Sequence, residues 1–211
     1  MQRSYCGLLL MLVCCTLTTH SLYAKWEATN GPFANAINCF YADGSTFLVG
    51  TSTGIYRSED EGGHWLQMSE QFIGSDFCAI GKTIYAGTRE HGIIISHDTG
   101  KTWEEIGTPL PEIGWISALI FHDGRLYAGT TYTNVYVSPD SGRTWTIQSD
   151  GLPEYYYNPT FAVANNRLFI GVANNFGGTE GGVFILDGNQ WKPTPLRDLA
   201  GFSLSVVGSR L

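Results

Sequence analysis

Residues 83–103 read TIYAGTREHGIIISHDTGKTW, and the fold follows from how this stretch is built and repeated. TIYAGT and GIIIS are short runs rich in β-branched and aromatic residues, which suit strands. The loop Arg89-Glu90-His91 separates them, and a polar turn carries the chain on to Trp103. The first run returns as TFLVGT (46–51), RLYAGT (125–130) and RLFIGV (167–172). The second returns as GIYRS, NVYVS and GVFIL. Five of the six tryptophans (Trp26, Trp65, Trp103, Trp145 and Trp191) keep the same beat, 38 to 46 residues apart. A period near 40 in a chain rich in glycine and aromatics means one supersecondary unit per period.

Each unit has a strand before the first run as well. The pairs Gly44-Ser45, Gly81-Lys82, Asp123-Gly124 and Asn165-Asn166 precede the four runs, and such residues accept the positive φ of tight hairpin turns. Upstream of these turns apolar residues alternate. One column reads Phe40, Phe77, Leu119, Phe161, and the next reads Ala42, Ala79, Phe121, Val163. Period two means a strand with one buried side, so these columns are expected in the core. A fourth strand is expected to begin at the repeating tryptophan. Four strands per period and no helical period predict an all-β chain of four-stranded antiparallel propeller blades. The blades are expected at about 36–70, 71–109, 110–151 and 152–195.

The turn before the tryptophan has a pattern of its own. It reads Ser58-Glu59-Asp60-Glu61-Gly62-Gly63-His64-Trp65, then Ser96-His97-Asp98-Thr99-Gly100-Lys101-Thr102-Trp103, then Ser138-Pro139-Asp140-Ser141-Gly142-Arg143-Thr144-Trp145. This resembles the Asp-box, or bacterial neuraminidase repeat, of pattern S-x-D-x-G-x-T-W. The first copy has His64 for Thr. The fourth is degenerate, with Leu186 at the Asp place, while Gly188 and Trp191 stay in register. Asp accepts hydrogen bonds from the N–H groups of its own turn, Gly allows a left-handed backbone, and Trp covers apolar surface while its N–H needs a partner. The resemblance implies that the box joins the third and fourth strands on the face away from the ligand site. Ser58, Asp60, Gly62, Trp65, Ser96, Asp98, Gly100, Trp103, Ser138, Asp140, Gly142 and Trp145 are therefore expected to form the fold.

Both ends depart from the repeat. Arg3 followed by the apolar run Cys6–Leu17 and Leu22-Tyr23-Ala24 has the layout of a secretory leader over 1–24. Secretion, or a periplasmic or cell-surface location, is the expectation, and no other stretch is apolar enough to span a membrane. Residues 25–35 resemble a lone fourth strand that closes a ring. Residues 196–211 match the entry of a further blade and stop in it. A truncated reading frame and a ring of about six to eight blades are expected.

The 211 residues carry 12 Lys and Arg against 19 Asp and Glu, a net charge of −7, which disfavours electrostatic binding of nucleic acid. Charged residues are only 15% and aromatics 13%, a mixture unlike a coiled coil or a disordered tail. Of five cysteines, Cys39 and Cys78 lie outside the leader. They fall on corresponding strands of neighbouring units, and two buried free thiols are expected.

Function is expected on the loops between second and third strands and on the blade-linking segments. These hold Arg89, Glu90, His91, Trp115, Tyr132, Asn134, Tyr155, Tyr156, Tyr157 and, in the insertion 172–182, Phe176. Exposed Tyr and Trp suit sugar rings or protein partners. The alternative for Trp115 and Tyr156 is that they seal gaps between blades. Sialidases, which the resemblance brings to mind, use a Tyr nucleophile with a paired Glu, an Asp acid/base and three arginines. Here only Arg89 sits on a candidate ligand loop; Arg57 abuts the box, and Arg125, Arg167 and Arg210 follow hairpin turns. Xyloglucan-cleaving relatives use two carboxylates, for which Asp76, Glu90, Glu112 and Glu180 are available. No metal-ligand spacing, phosphate loop or nucleophile elbow occurs, so no cofactor is expected. The preferred reading is a secreted, non-catalytic propeller that binds a glycan, a peptide or an envelope protein. The alternative is a sialidase-like or xyloglucanase-like glycoside hydrolase.

Overall fold

The computed structural model describes residues 30–32, 34, 36–106, 110, 115–131, 134–173, 181–197 and 203–204. The expected leader and Trp26 lie outside the described residues, as does most of the expected closing strand and partial blade. The described chain forms sixteen strands in four four-stranded antiparallel sheets, each in simple sequence order. The first blade is β1 (Ile37–Asp43), β2 (Thr46–Thr51), β3 (Gly54–Ser58) and β4 (Leu66–Ser69). The second is β5 (Gly74–Ile80), β6 (Thr83–Thr88), β7 (Ile93–Ser96) and β8 (Glu104–Glu105). The third is β9 (Ile116–His122), β10 (Arg125–Thr130), β11 (Val135–Ser138) and β12 (Thr146–Ile147). The fourth is β13 (Tyr157–Ala164), β14 (Arg167–Ala173), β15 (Gly182–Asp187) and β16 (Gln190–Arg197).

Every first hairpin closes on the expected two residues. Asp123 and Gly124 have φ of 47° and 74°, and Asn165 and Asn166 have 49° and 57°. Both pairs meet the positive-φ demand of a tight turn that matches strand twist. The fourth strand does not begin at the tryptophan in the boxed blades. It begins one residue later, at Leu66, Glu104 and Thr146, because the box holds the tryptophan inside the turn.

Successive sheets stack face to face, and the apolar columns lie between them. Phe77, Ile84 and Ile94 of the second blade pack on Leu48 and Ile55 of the first. Leu119, Leu126 and Tyr136 of the third pack on Cys78 and Tyr85 of the second. Leu168, Ile170 and Phe184 of the fourth pack on Tyr127 and Val135 of the third. Phe40 breaks the column, being 57% exposed with only Phe47 edge-on at 5.2 Å. Its face of the sheet is the one each later blade turns to the blade before it, and no described sheet precedes the first.

The glycine of each GT or GV phrase is set by close approach. A Cβ on Gly50 would lie 2.6 Å from the Gly74 carbonyl oxygen. On Gly87 it would lie 2.6 Å from Ile116 Cγ2, and on Gly129 2.8 Å from Pro159 Cγ. The second strand of one blade thus abuts the start of the next blade's first strand, and a side chain there would wedge the sheets apart.

The three box turns share one network. The Ser hydroxyl donates to the Asp Oδ1 at 2.8 Å and accepts the Gly N–H at 2.7–2.9 Å. Asp Oδ1 then accepts the N–H of residue 64, 102 or 144. Thr102 and Thr144 donate their hydroxyls to Oδ2 at 2.7 Å, and His64 Nδ1 occupies the same place at 2.6 Å. The departure in the first box is therefore repaired by the imidazole. The serines are fully buried while the aspartates are partly open, so the hydroxyl is the inner pin of the turn. The residue before each glycine (Glu61, Thr99, Ser141) has φ near 60°, and the glycine itself about 90°. Trp65 and Trp145 donate their indole N–H to the box glycine carbonyl, but Trp103 Nε1 has no partner among the described residues.

Candidate functional site

The first strands β1, β5, β9 and β13 are the inner ones, and they pack against one another in sequence. Each carries an irregularity near its start, opposite the repeated glycine of its partner strand. In the first two blades the extra residue turns a polar side chain toward the neighbouring blade, whereas in the third Ser117 donates to the Gly129 carbonyl of its own blade at 3.3 Å. Asn38 Nδ2 donates to the Gly74 carbonyl at 3.1 Å, and Ser75 Oγ donates to the Ile116 carbonyl. Asp76 accepts the Phe77 N–H at 2.9 Å through Oδ1 and the Leu119 N–H at 2.7 Å through Oδ2. These contacts satisfy backbone groups that the inner edge of a sheet leaves without a ladder partner.

The inner strands line a groove of about 830 Å³. Its walls include Asn38, Asp76, Arg89, Trp115, Tyr157 and Thr160. Among the described residues lining it, Arg89 is the one cation and Asp76 the one anion. Burial pushes the Asp76 carboxyl up to about 6, although the Leu119 and Phe77 N–H groups pull it back. Burial also raises the Cys39 and Cys78 thiols to about 12, with the Asp76 charge adding to the rise. Both are free thiols, Cys78 buried and Cys39 partly so, and neither is a thiolate nucleophile at neutral pH.

At the groove mouth the Arg89 guanidinium lies 4.8 Å from the centre of the Trp115 ring. Trp115 is 46% exposed. A cation over an indole face is held electrostatically, and the stack fixes both side chains while leaving the remaining Arg89 donors open. His91 stands apart from this pair: its Nδ1 lies 2.8 Å from Glu105 Oε1, and its ring meets Phe72 edge-on at 5.1 Å. Glu90 is exposed and off the groove wall, as is Tyr155. Asn134 closes its own loop, its carbonyl accepting from the Thr130 N–H and hydroxyl. Tyr156 is no part of the ligand face; at 3% exposed it belongs to the core between the third and fourth blades. Its apolar neighbours there outweigh the wet end of a phenol. Tyr132, Phe176, Glu112 and Glu180 lie outside the described residues.

Sequence reasoning missed the threonines that end the phrases. Thr51, Thr88 and Thr130 are buried, and each hydroxyl donates across its loop to the carbonyl of Gly54, Gly92 or Asn134 at 2.9–3.0 Å. The recurrence of Thr in three phrases was the available signal. The fourth phrase ends in Val172 and leads into the longest of these loops.

Among the described residues no group of three His, Cys, Asp or Glu side chains is arranged to hold a metal ion. Among them, too, no helix is long and apolar enough to cross a membrane. No family model matches the sequence, and no curated protein matches it. Solved structures do match, among them the β-propellers that follow. YCF48 from Cyanidioschyzon merolae superposes with a TM-score of 0.61 at 13% identity, over 81% of this chain and 59% of that one. A structure described as YCF48 bound to D1 peptide gives 0.53 at 18% identity, over 74% and 51%. The Niastella koreensis GH74 enzyme gives 0.58 at 19% identity, over 74% and 30%. The chain thus spans less than two thirds of the length of these neighbours, and identities this low speak for the fold alone.

Proposed function

We propose that the chain is a secreted, non-catalytic propeller module that binds an extended peptide segment of a partner protein on its loop face. The observation that carries this reading is the Arg89–Trp115 pair at the mouth of the inner groove. Trp115 is the one tryptophan off the repeat beat, so the blade pattern gives no reason for a large ring there. A half-exposed indole with an adjacent guanidinium fork is the composition of an interface anchor. A peptide offers carbonyls and acidic side chains to Arg89 and apolar side chains to Trp115. That one structural neighbour is described with a bound peptide agrees with this use of the fold.

A hydrolase reading has Asp76 in its favour, since a buried carboxyl with a raised pKa suits a general acid. Against it, both Asp76 oxygens are engaged by backbone N–H groups, and no second carboxylate lines the groove among the described residues. Full-length protein probed with a peptide array, a glycan array, a fluorogenic sialoside and xyloglucan separates the readings. Peptide retention that falls at least tenfold in Arg89→Ala and Trp115→Ala, with unchanged unfolding midpoints, supports the proposal. Turnover lost in Asp76→Asn, or glycan retention alone, overturns it.

A further inference from the structure

The junction between the third and fourth blades differs from the two before it. The position three residues past the repeating tryptophan is Met68, Ile106 or Gln148 in the first three blades. Ile106 is partly buried and plugs the junction, its Cδ1 lying so close to the next box that a Cβ on Gly142 would be 2.9 Å away. The fourth blade has no box. Its β15–β16 connection is the two-residue turn Gly188-Asn189, so the volume a box would fill beside the third blade stays open. A cleft of about 440 Å³ results, lined by Arg125, Thr146, Ile147, Gln148, Asp150 and Asn189, together with Val137 and Pro139.

Gln148 is only 7% exposed, and its side-chain Nε2 has no hydrogen-bond partner among the described residues. An orphaned buried amide is costly, and the equivalent positions show that the fold accepts an apolar residue there. The amide is thus unexplained by packing, and it lies on the wall of a cleft that also carries one cation, one anion and a second amide.

We infer that this cleft is a second ligand site, and that it takes a neutral, hydroxyl-rich ring: one sugar unit. Arg125 and Asp150 face the same volume with opposite charges, so a simple ion of either sign meets a repelling group. Vicinal hydroxyls meet both demands at once, donating to Asp150 and accepting from Arg125 and Asn189, and a rotation of the Gln148 side chain, whose Nε2 is closed to solvent in the unliganded cleft, brings a third donor to the ring. Val137, Pro139 and Ile147 supply apolar lining for the ring's C–H face. The volume lies within the ~300–1,000 Å³ usual for small-molecule sites.

The site carries its own reporter, because Trp191 donates its indole N–H to the Gln148 carbonyl at 2.8 Å. Full-length protein labelled with nitrogen-15 is titrated with glucose, galactose, mannose, xylose and N-acetylglucosamine, and separately with sulfate. The expected result is a saturable shift of the Gln148 amide and Trp191 indole signals with at least one sugar. Gln148→Leu keeps the fold, raises the unfolding midpoint and loses the shift; Asn189→Ala weakens it; Arg89→Ala leaves it unchanged. No shift with any of the five sugars, a shift with sulfate alone, or an undiminished shift in both Gln148→Leu and Asn189→Ala overturns the inference.

Discussion

The boxed blades and the unboxed fourth blade solve the same problem in different ways. Each must turn the chain from its third strand into its fourth and seat a tryptophan against the sheet. The first three blades use a side-chain knot of Ser, Asp and Thr or His, and their fourth strands run only four, two and two residues. The fourth blade has no knot, and its backbone ladder continues straight through the turn, from Asp187 opposite Gln190, into an eight-residue β16. Trp65 and Trp145 spend their indole N–H on their own turn, whereas Trp191 is 1% exposed, stacks on Phe161 at 6.3 Å and bonds to the preceding blade. The box makes a turn self-sufficient, and without it the turn is held by its neighbours. The contrast teaches that the box substitutes local hydrogen bonds for strand pairing.

The largest expected effect tests where each tryptophan does its work. Trp191→Ala removes a fully buried ring and an interblade hydrogen bond, and is expected to cost about 3–5 kcal/mol in urea unfolding. Trp65→Ala, at a half-buried ring with a local bond, is expected to cost less than half as much; equal losses would break the comparison. The next effect sets the groove side against the box side by pH. Asp76 holds its proton more tightly folded than unfolded, at about 6 against an ordinary 3.8. Its contribution is present in full below about pH 4 and is lost as pH rises through 6, a change of about 3 kcal/mol for a shift of about two units.

The box aspartates run the other way. Burial raises Asp98, but the Thr102 N–H and hydroxyl, the Ser96 hydroxyl and the Lys101 N–H outweigh it and bring it to about 2. The Thr144 N–H and hydroxyl lower Asp140, and the His64 ring and N–H hold Asp60 well below the carboxylate range. Stability from these groups is present above about pH 4 and is lost as pH falls below it, for Asp98 as pH falls through 2. Wild-type stability is therefore expected to peak near pH 4, and Asp76→Asn to flatten the alkaline side only. A curve rising between pH 4 and 6 in wild type would contradict the burial of Asp76.

Smaller effects sharpen the account of the knot itself. Ser138→Ala strands the Gly142 N–H inside the turn and is expected to cost about 1–3 kcal/mol. Asp187→Ala, which removes only an exposed ion pair with Lys192, is expected to leave the midpoint where it is. His64→Thr is a comparably small change. It restores the hydroxyl used by the other two boxes and is expected to move stability by no more than about 0.5 kcal/mol. A large loss would mean that the imidazole does more than replace that hydroxyl.

The strands, the hairpin turns and the boxes were legible because each depends on residues within a few positions of one another. Asp123-Gly124 and Asn165-Asn166 announce positive φ, alternation announces a buried face, and S-x-D-x-G fixes a turn. The candidate site was legible only in part. Arg89 and Trp115 were singled out separately, but their stacking across two blades has no signal in their spacing. Asp76 read as one of four available carboxylates, and the two backbone N–H groups that occupy it come from its own strand and from the next blade. Tyr156 and Tyr155 are adjacent and alike in sequence, yet one is core and the other faces water.

By itself the sequence determined the repeat, the number of strands in each unit and the chemistry of the turns, because those are local and periodic. Only the tertiary structure decided which periodic positions are equivalent in fact: Phe40 open where Phe77 is buried, Gln148 orphaned where Ile106 plugs, Gly87 forced by Ile116. Stacking sheets joins residues dozens of positions apart, and at each junction the neighbour's shape, not the residue's own pattern, sets what is covered.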